Sequence, residues 1–429
     1  MNKFSYTALI IILFLTSVEV RSQTAGKVEV GAQFTSLTLP TNEYFSFTEP
    51  GFGGRVTYNV NDNLALEGEV NLFLNKNVFG SLAEGRAVQA QFGVKAGKRY
   101  KNFGIFAKAR PGFLSLGDVF SYQPGTAISV FGNPTLNTRV GRETHFTTDL
   151  GGVLEFYPSP KTIVRFDAGD TILRFGPHLE PDPLNYPQLV ELPSRIKHNF
   201  QITAGVGFRL GSPADPISAQ TSNGNDDDVP RLEVGVHFTS MSINTPTILC
   251  PDLCLIGNDS GPLTNPGLGG RVTYNLHRNL GLEAEVNFFP KQLGQGYRAP
   301  GGHVYQGQFG VKAGKRFTTF GLFGKFRPGF VGFSQTNQLI GTHTFTFGTG
   351  QFIAGDFRRG RKEYFSMDAG GVVELYVSRR IMTRMDFGDT IIKYGEFAGE
   401  SIFVSHAINR RPPETRHNFQ FTAGVGFRF

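Results

Sequence analysis

"LALEGEVNL", Leu64 to Leu72, alternates apolar and polar residues with a period of two. Leu64, Leu66, Val70 and Leu72 share one face, and Glu67, Glu69 and Asn71 share the other. A strand built this way is buried on one side only, and the fold depends on which side meets water. "VQAQFGVKAGK", Val88 to Lys98, repeats the pattern, with Val88, Ala90, Phe92, Val94 and Ala96 opposite Gln89, Gln91 and Lys95. Phe200, Ile202, Ala204, Val206 and Phe208 alternate in the same way with Asn199, Gln201, Thr203 and Arg209.

Extending the pattern outward predicts eight strands near 27–37, 51–60, 63–73, 86–98, 103–113, 144–157, 161–170 and 198–210. Their connections alternate short and long. "NDN", "RYKN" and "PSP" are tight turns, whereas the other four run from about ten to about thirty residues, which is the signature of an up-and-down antiparallel sheet. Tyr58, Tyr100 and Tyr157 stand beside the short turns, as do Tyr274, Phe317 and Tyr376, where an amphipathic ring is expected to meet lipid headgroups.

The second set of aromatics exists because the chain is duplicated. "HNFQITAGVGFRL" at His198 returns as "HNFQFTAGVGFRF" at His417, "GGRVTYN" at Gly53 returns at Gly269, and "QFGVKAGKR" at Gln91 returns at Gln308. The copies are expected at 27–210 and 231–429, joined by a Pro-, Gly-, Ser- and Asp-rich linker at 211–230. Residues 1–22, with Lys3, an apolar run from Ala8 to Leu15 and the small residues Val20 and Ser22, read as a cleaved secretory signal peptide. The run falls short of the roughly 20 apolar residues of a spanning helix. No later stretch approaches that length, but averaging hides the apolar half of a transmembrane strand, so hydropathy does not exclude a barrel. Cys250 and Cys254 are the two cysteines of the chain, and in an oxidising compartment they are expected to form a disulfide.

The polar face of the first copy carries Glu29, Glu67, Glu69, Asp149, Glu155 and Asp167 against Arg55, Lys95, Lys108, Arg110, Arg165 and Arg209. The second carries Glu233, Glu283, Glu285, Asp368, Glu374 and Asp386 against Arg271, Lys312, Lys325, Arg327, Arg384 and Arg428. Charges removed from water are tolerated when paired, and an eight-stranded barrel has a lumen that side chains can fill. A balanced set of lumen ion pairs is therefore expected in each copy.

With these features the chain resembles the small outer-membrane β-barrels of the outer membrane protein A and X type, found in Gram-negative bacteria. That resemblance implies an all-β transmembrane barrel in the bacterial outer membrane, in contact with lipid and lipopolysaccharide. It also implies an aromatic terminal residue read by the barrel assembly machinery. Phe421, Ala423, Val425, Phe427 and Phe429 match that signal. Members usually carry one barrel per chain. Two tandem eight-stranded barrels are the expected architecture, with one sixteen-stranded barrel as the alternative.

For function, the expectation is a structural or interaction role through extracellular loops. A sixteen-stranded porin-like channel for small solutes and a soluble exported binding barrel are the alternatives. Catalysis is not expected. A lipid hydrolase would need a hydroxyl nucleophile beside a histidine, and neither His198 nor His417 has one at the required spacing in "HNFQ", while His145 has no counterpart in the second copy. "KAGKR" lacks the spacing of a phosphate loop, and no cofactor or metal motif is present. The formal charge of +7 has no nucleic-acid-binding motif beside it. The basic run Arg358 to Lys362, together with Arg410 and Arg411, falls in expected long loops where lipopolysaccharide phosphates are possible ligands.

Overall fold

The computed structural model describes residues 27–40, 46–74, 85–128, 134–182, 185, 188–210, 229–246, 263–293, 300–347, 350–400 and 408–429. The expected signal segment, residues 211–228 of the expected linker, and Cys250 and Cys254 lie outside them. The chain divides into two compact units, Met1–Gln220 and Thr221–Phe429.

In the first unit the strands are β1 (Val28–Pro40), β2 (Ser46–Asn59), β3 (Leu64–Phe73), β4 (Ala87–Arg99), β5 (Phe103–Ile128), β6 (Pro134–Ser159), β7 (Thr162–Phe175), β8 (His178–Pro181), β9 (Leu189–Leu192) and β10 (Arg195–Leu210). Eight of them close a barrel in the order β1-β10-β7-β6-β5-β4-β3-β2. Closure sets Glu29 opposite Arg209 across β1 and β10, and Thr57 opposite Glu67 across β2 and β3. The small β8–β9 hairpin stands apart from this sheet.

The second unit contains β11 (Leu232–Ile243), β12 (Leu263–His277), β13 (Leu280–Leu293), β14 (Pro300–Arg316), β15 (Phe320–Phe347), β16 (Gly350–Tyr376), β17 (Ile381–Tyr394), β18 (Phe397–Glu400), β19 (Ile408–Arg411), β20 (Glu414–Arg416) and β21 (Phe419–Arg428). Its sheet runs β16-β15-β14-β13-β12-β11-β21-β17 and closes through β16–β17, with β20 continuing the pairing along β17. Both barrels are antiparallel and eight-stranded. The sixteen-stranded alternative is thereby overturned, because β1 pairs β10 within the first copy and β11 pairs β21 within the second. Neither sheet keeps an edge through which it could continue into the other.

The two faces are inverted relative to a soluble barrel. Phe52, Val56, Leu66, Val70, Phe92, Phe146, Phe200 and Phe208 are exposed on the outside, while Glu67, Lys95 and Arg110 are buried within. That polarity suits lipid and removes the soluble-binder alternative. Tyr157 and Tyr376 correct the expected headgroup girdle. Each lies two residues after an inward glutamate and so shares the inward face, where its hydroxyl donates to that glutamate, Glu155 or Glu374, at 2.9 Å. Tyr58 and Tyr274 remain outward and about half exposed.

A further correction concerns the longest expected loops. β5 and β6 each extend over 26 residues, and β15 and β16 over 28 and 27, whereas crossing a bilayer takes about 9–11 tilted strand residues. The excess forms projecting hairpins. Alternation fails to reveal them because the pairing is broken by register shifts, one of them between Leu116 and Val119. Asp118 there adopts a positive φ of 49°, which Asp tolerates better than bulky residues, and Gly125 takes φ 97° at the next shift.

Candidate functional site: the barrel lumen

In the first barrel, Arg110 on β5 bridges carboxylates of β3 and β6. Its Nη1 lies 2.5 Å from Glu69, and its Nη2 and Nε lie 2.5 and 3.1 Å from one Asp149 oxygen. Arg165 engages both oxygens of Glu67 and both oxygens of Asp167. Lys108 reaches Asp149 at 2.7 Å, and Lys95 reaches Glu155 at 2.5 Å and Glu67 at 3.5 Å. Arg209 donates to Glu29 at 3.1 Å. Arg55 departs from the expected ion pairing, donating to the Gln33 carboxamide at 2.9 Å with no ion pair among the described residues.

The second barrel repeats the network. Arg327 bridges Glu285 at 2.5 Å and Asp368 at 2.6 Å, Lys325 lies 2.7 Å from Asp368, and Arg384 clasps Glu283 and Asp386. Lys312 joins Glu233 and Glu374, and Arg271 stands 3.8 Å from both Glu285 and Asp386. Arg428 does not join the expected set. It donates to the Arg379 carbonyl at 3.2 and 3.3 Å, because Glu233 already receives Arg316, Asn275 and Lys312.

Several lumen residues escaped the sequence reading. Arg99 and Arg316 close the "KAGKR" repeats, and carrying the alternation two residues past the inward Gly97 and Gly314 would have found them. Glu49 is buried in the first barrel, where the second has Asn265, and His237 is buried where the first has Gln33. His237 contacts Asn287 at 2.6 Å and lies 3.7 Å from Glu285.

The larger omission is apolar. Leu37, Leu39, Phe73, Ala87, Leu114, Leu116 and Leu173 form a buried cluster toward the long-hairpin end of the first barrel. Met241, Ile243, Phe289, Val304, Val331, Phe333, Tyr364, Ile392 and Tyr394 do so in the second. Each lumen is thus layered, ionic through its middle and apolar above. Alternation placed these residues inward in principle, but inward leucines beside outward leucines give no contrast to read.

The lumen offers paired charges rather than reactive ones. No group of three or more His, Cys, Asp or Glu residues suited to a metal occurs among the described residues. His198 and His417 each pair with an aspartate, Asp170 or Asp389, at 2.5 Å, and both are strongly exposed. The second aspartate oxygen receives the backbone N–H of Asn199 or Asn418 at 3.0 Å, not a hydroxyl.

Residues 7–209 match the family described as "Outer membrane protein beta-barrel domain". A search of curated proteins gives no match. Among solved structures, the chain is similar to the N-terminal β-barrel domain of Pseudomonas aeruginosa OprF, at 14% identity over 43% of this chain and 98% of that one, with a TM-score of 0.24. Neisserial surface protein A is similar at 12% identity over 43% and 97%, with a TM-score of 0.28. Ail, the attachment invasion locus protein of Yersinia pestis, is similar at 12% over 43% and 99%, with a TM-score of 0.27. The family match falls within the first unit, and the second unit repeats its strand order and buried charges.

Proposed function

We propose that this outer-membrane β-barrel protein is a non-conducting double anchor that presents long β-hairpins outside the cell for interaction. The observation that carries this reading is the layered filling of each lumen beneath hairpins far longer than a membrane crossing. A conducting pore needs a continuous wet path. Here Leu114 and Leu173, and Val331 and Phe333, are wholly buried across it. The short turns lie on the periplasmic side in this reading, and both ends of each copy return there because eight is an even number of crossings.

At the hairpin end of the second barrel, Arg361 stacks 4.4 Å over the Tyr305 ring and pairs with Glu363 at 2.5 Å, on the exposed surface beside Arg358, Arg359 and Lys362. This basic rim fits the phosphates of lipopolysaccharide, which we take as the membrane-side partner. The family typically lacks enzymatic members, and the paired charges give no reason to assign a reaction here.

Two measurements on the full chain test the proposal. Planar-bilayer recordings are expected to show no steady large conductance. Protease added to intact cells is expected to cut within 113–143 and 331–362. A stable pore, or complete protection of both hairpins on the cell surface, refutes it.

A further inference from the structure

Independently of the loop-presenting role, the two lumens differ at one buried position that can take up a proton. His237 on β11 is 5% exposed and stands where the first barrel has Gln33. It lies between its pairing partners, Gly269 on β12 and Gly424 on β21. A Cβ at Gly269 would come within 2.4 Å of Nε2, so the ring rests directly over that glycine.

The surrounding hydrogen bonds fix which ring nitrogen carries the proton. Asn287 Nδ2 donates to the Glu285 carboxylate at 2.9 Å and to Gln306 Oε1 at 2.8 Å, which leaves its Oδ1 for His237. His237 Nε2 lies 2.6 Å from that oxygen and is therefore the donor, so in the neutral ring Nδ1 is an acceptor. Gln33 supplies the same two functions in the first barrel. Its Nε2 donates to Asn71 Oδ1 at 2.9 Å, and its Oε1 accepts from Arg55 Nη1 at 2.9 Å. Neutral imidazole keeps one donor and one acceptor, whereas imidazolium has two donors and no acceptor. In the second barrel Nη1 of Arg271, the counterpart of Arg55, and Nδ1 of His237 both lack a hydrogen-bond partner among the described residues.

Charges act on the ring from three strands: Arg271 on β12, Glu285 on β13 and Asp386 on β17. Glu285, 3.7 Å from Nε2, is already held by Arg327 at 2.5 Å, and Arg271 stands 3.8 Å from both acids. The second barrel buries six carboxylates against six Lys and Arg side chains among the described residues. A proton on His237 adds a seventh positive charge, diagonally across the β11–β12 register from Arg271. In a filled lumen that excess is costly. We propose that His237 is a proton-sensitive latch, closed when neutral, through which mild acid loosens the second barrel and spares the first. His145 of the first barrel lies instead at the hairpin end, 3.7 Å from Glu143, outside the ion-paired layer.

The test uses the full chain in neutral detergent, with hydrogen exchange read peptide by peptide at about pH 7.5 and about pH 5, on either side of the ordinary histidine range. Protection in β11, β12 and β13 is divided by protection in β1, β2 and β3 of the same sample, after correction for the pH dependence of intrinsic exchange. A ring that stays neutral in the barrel and takes its proton on unfolding contributes stability above about pH 6.5. That stability is lost below it by about a factor of ten per pH unit, or about thirtyfold at pH 5. The ratio is therefore expected to fall about ten- to thirtyfold on acidification. His237→Gln, which copies Gln33, is expected to hold the ratio constant while leaving protection at the higher pH like the parent's. Gln33→His is expected to transfer the acid response to β1, β2 and β3. Heat-dependent gel mobility at the higher pH confirms that each variant is folded. An equal response of both barrels in the parent, or an acid response that persists in His237→Gln, overturns the proposal.

Discussion

Replacing Arg165 by Met strips two buried carboxylates of their principal partner. Arg165 makes two hydrogen bonds to Glu67 and two to Asp167, and its Nη1 lies 3.7 Å from Glu155. Glu67 would keep Thr57 at 3.1 Å and Lys95 at 3.5 Å, and Asp167 would keep Lys108 at 3.5 Å and Arg110 at 3.6 Å. Removing one partner from a buried ion pair costs about 3–5 kcal/mol, a large fraction of the roughly 5–15 kcal/mol that holds a domain together. The residual pairs keep the loss within that range despite three affected carboxylates. Hydrogen exchange read peptide by peptide is the suitable assay, because it reports each barrel separately within the full chain. Protection in β3 and β7 is expected to fall at least about a hundredfold, since each 1.4 kcal/mol is a factor of ten, while β13 and β17 keep theirs. Arg384→Met is expected to reverse the assignment, sparing the first barrel. Combining Arg165→Met with Glu67→Met removes the pair in neutral form and is expected to restore much of the protection. Parent-like exchange in Arg165→Met, or equal loss in the single and double variants, refutes the view that the lumen is a dry, charge-matched core.

Three shorter expectations follow from other parts of the chain. Phe429→Asp should impair outer-membrane assembly far more than Leu210→Asp, although Phe429 keeps its backbone bond to Leu232 at 2.8 Å; equal membrane levels of the two variants would remove the terminal strand as the assembly signal. Phe333→Ala, in the buried apolar layer with Tyr364 and Tyr394, is expected to cost about 3–5 kcal/mol, and urea unfolding in detergent that matches the parent would show the layer to be loosely filled. Cys250 and Cys254 should resist alkylation until a reductant is added, and two freely reactive thiols in the exported protein would exclude the disulfide.

The barrel was legible because lipid and lumen impose opposite chemistry on alternate residues. Glu67 and Glu69 between leucines need only a period-two reading, and duplication let each strand be read twice. Three kinds of information were less accessible. Register shifts near Leu116 and Tyr122 break the period, so the projecting hairpins look like loops. The apolar upper lumen is chemically the same as the lipid face, so Leu37 and Phe289 carry no mark of their side. Partner choice also depends on positions across the barrel: Arg165 reaches Glu67, 98 residues away, because both point into one narrow lumen.

Duplicated copies drift, and the way their buried charges drift argues that each lumen is its own electrostatic unit. The first barrel buries seven carboxylates (Glu29, Glu49, Glu67, Glu69, Asp149, Glu155, Asp167) and seven bases (Arg55, Lys95, Arg99, Lys108, Arg110, Arg165, Arg209) among the described residues. In the second, Asn265 stands in place of Glu49, which removes one negative charge. Arg428, the counterpart of Arg209, lies outside the buried set, which removes one positive charge and leaves six against six. A wide aqueous pore would screen such charges and would not require the two changes to balance. A side-chain-filled lumen of low dielectric would, because an excess buried charge there is costly. Restoring the acid alone by Asn265→Glu should therefore destabilise the second barrel rather than strengthen it. Hydrogen exchange in β12 and β13 would report the loss, and a gain in protection would refute the charge-balance argument.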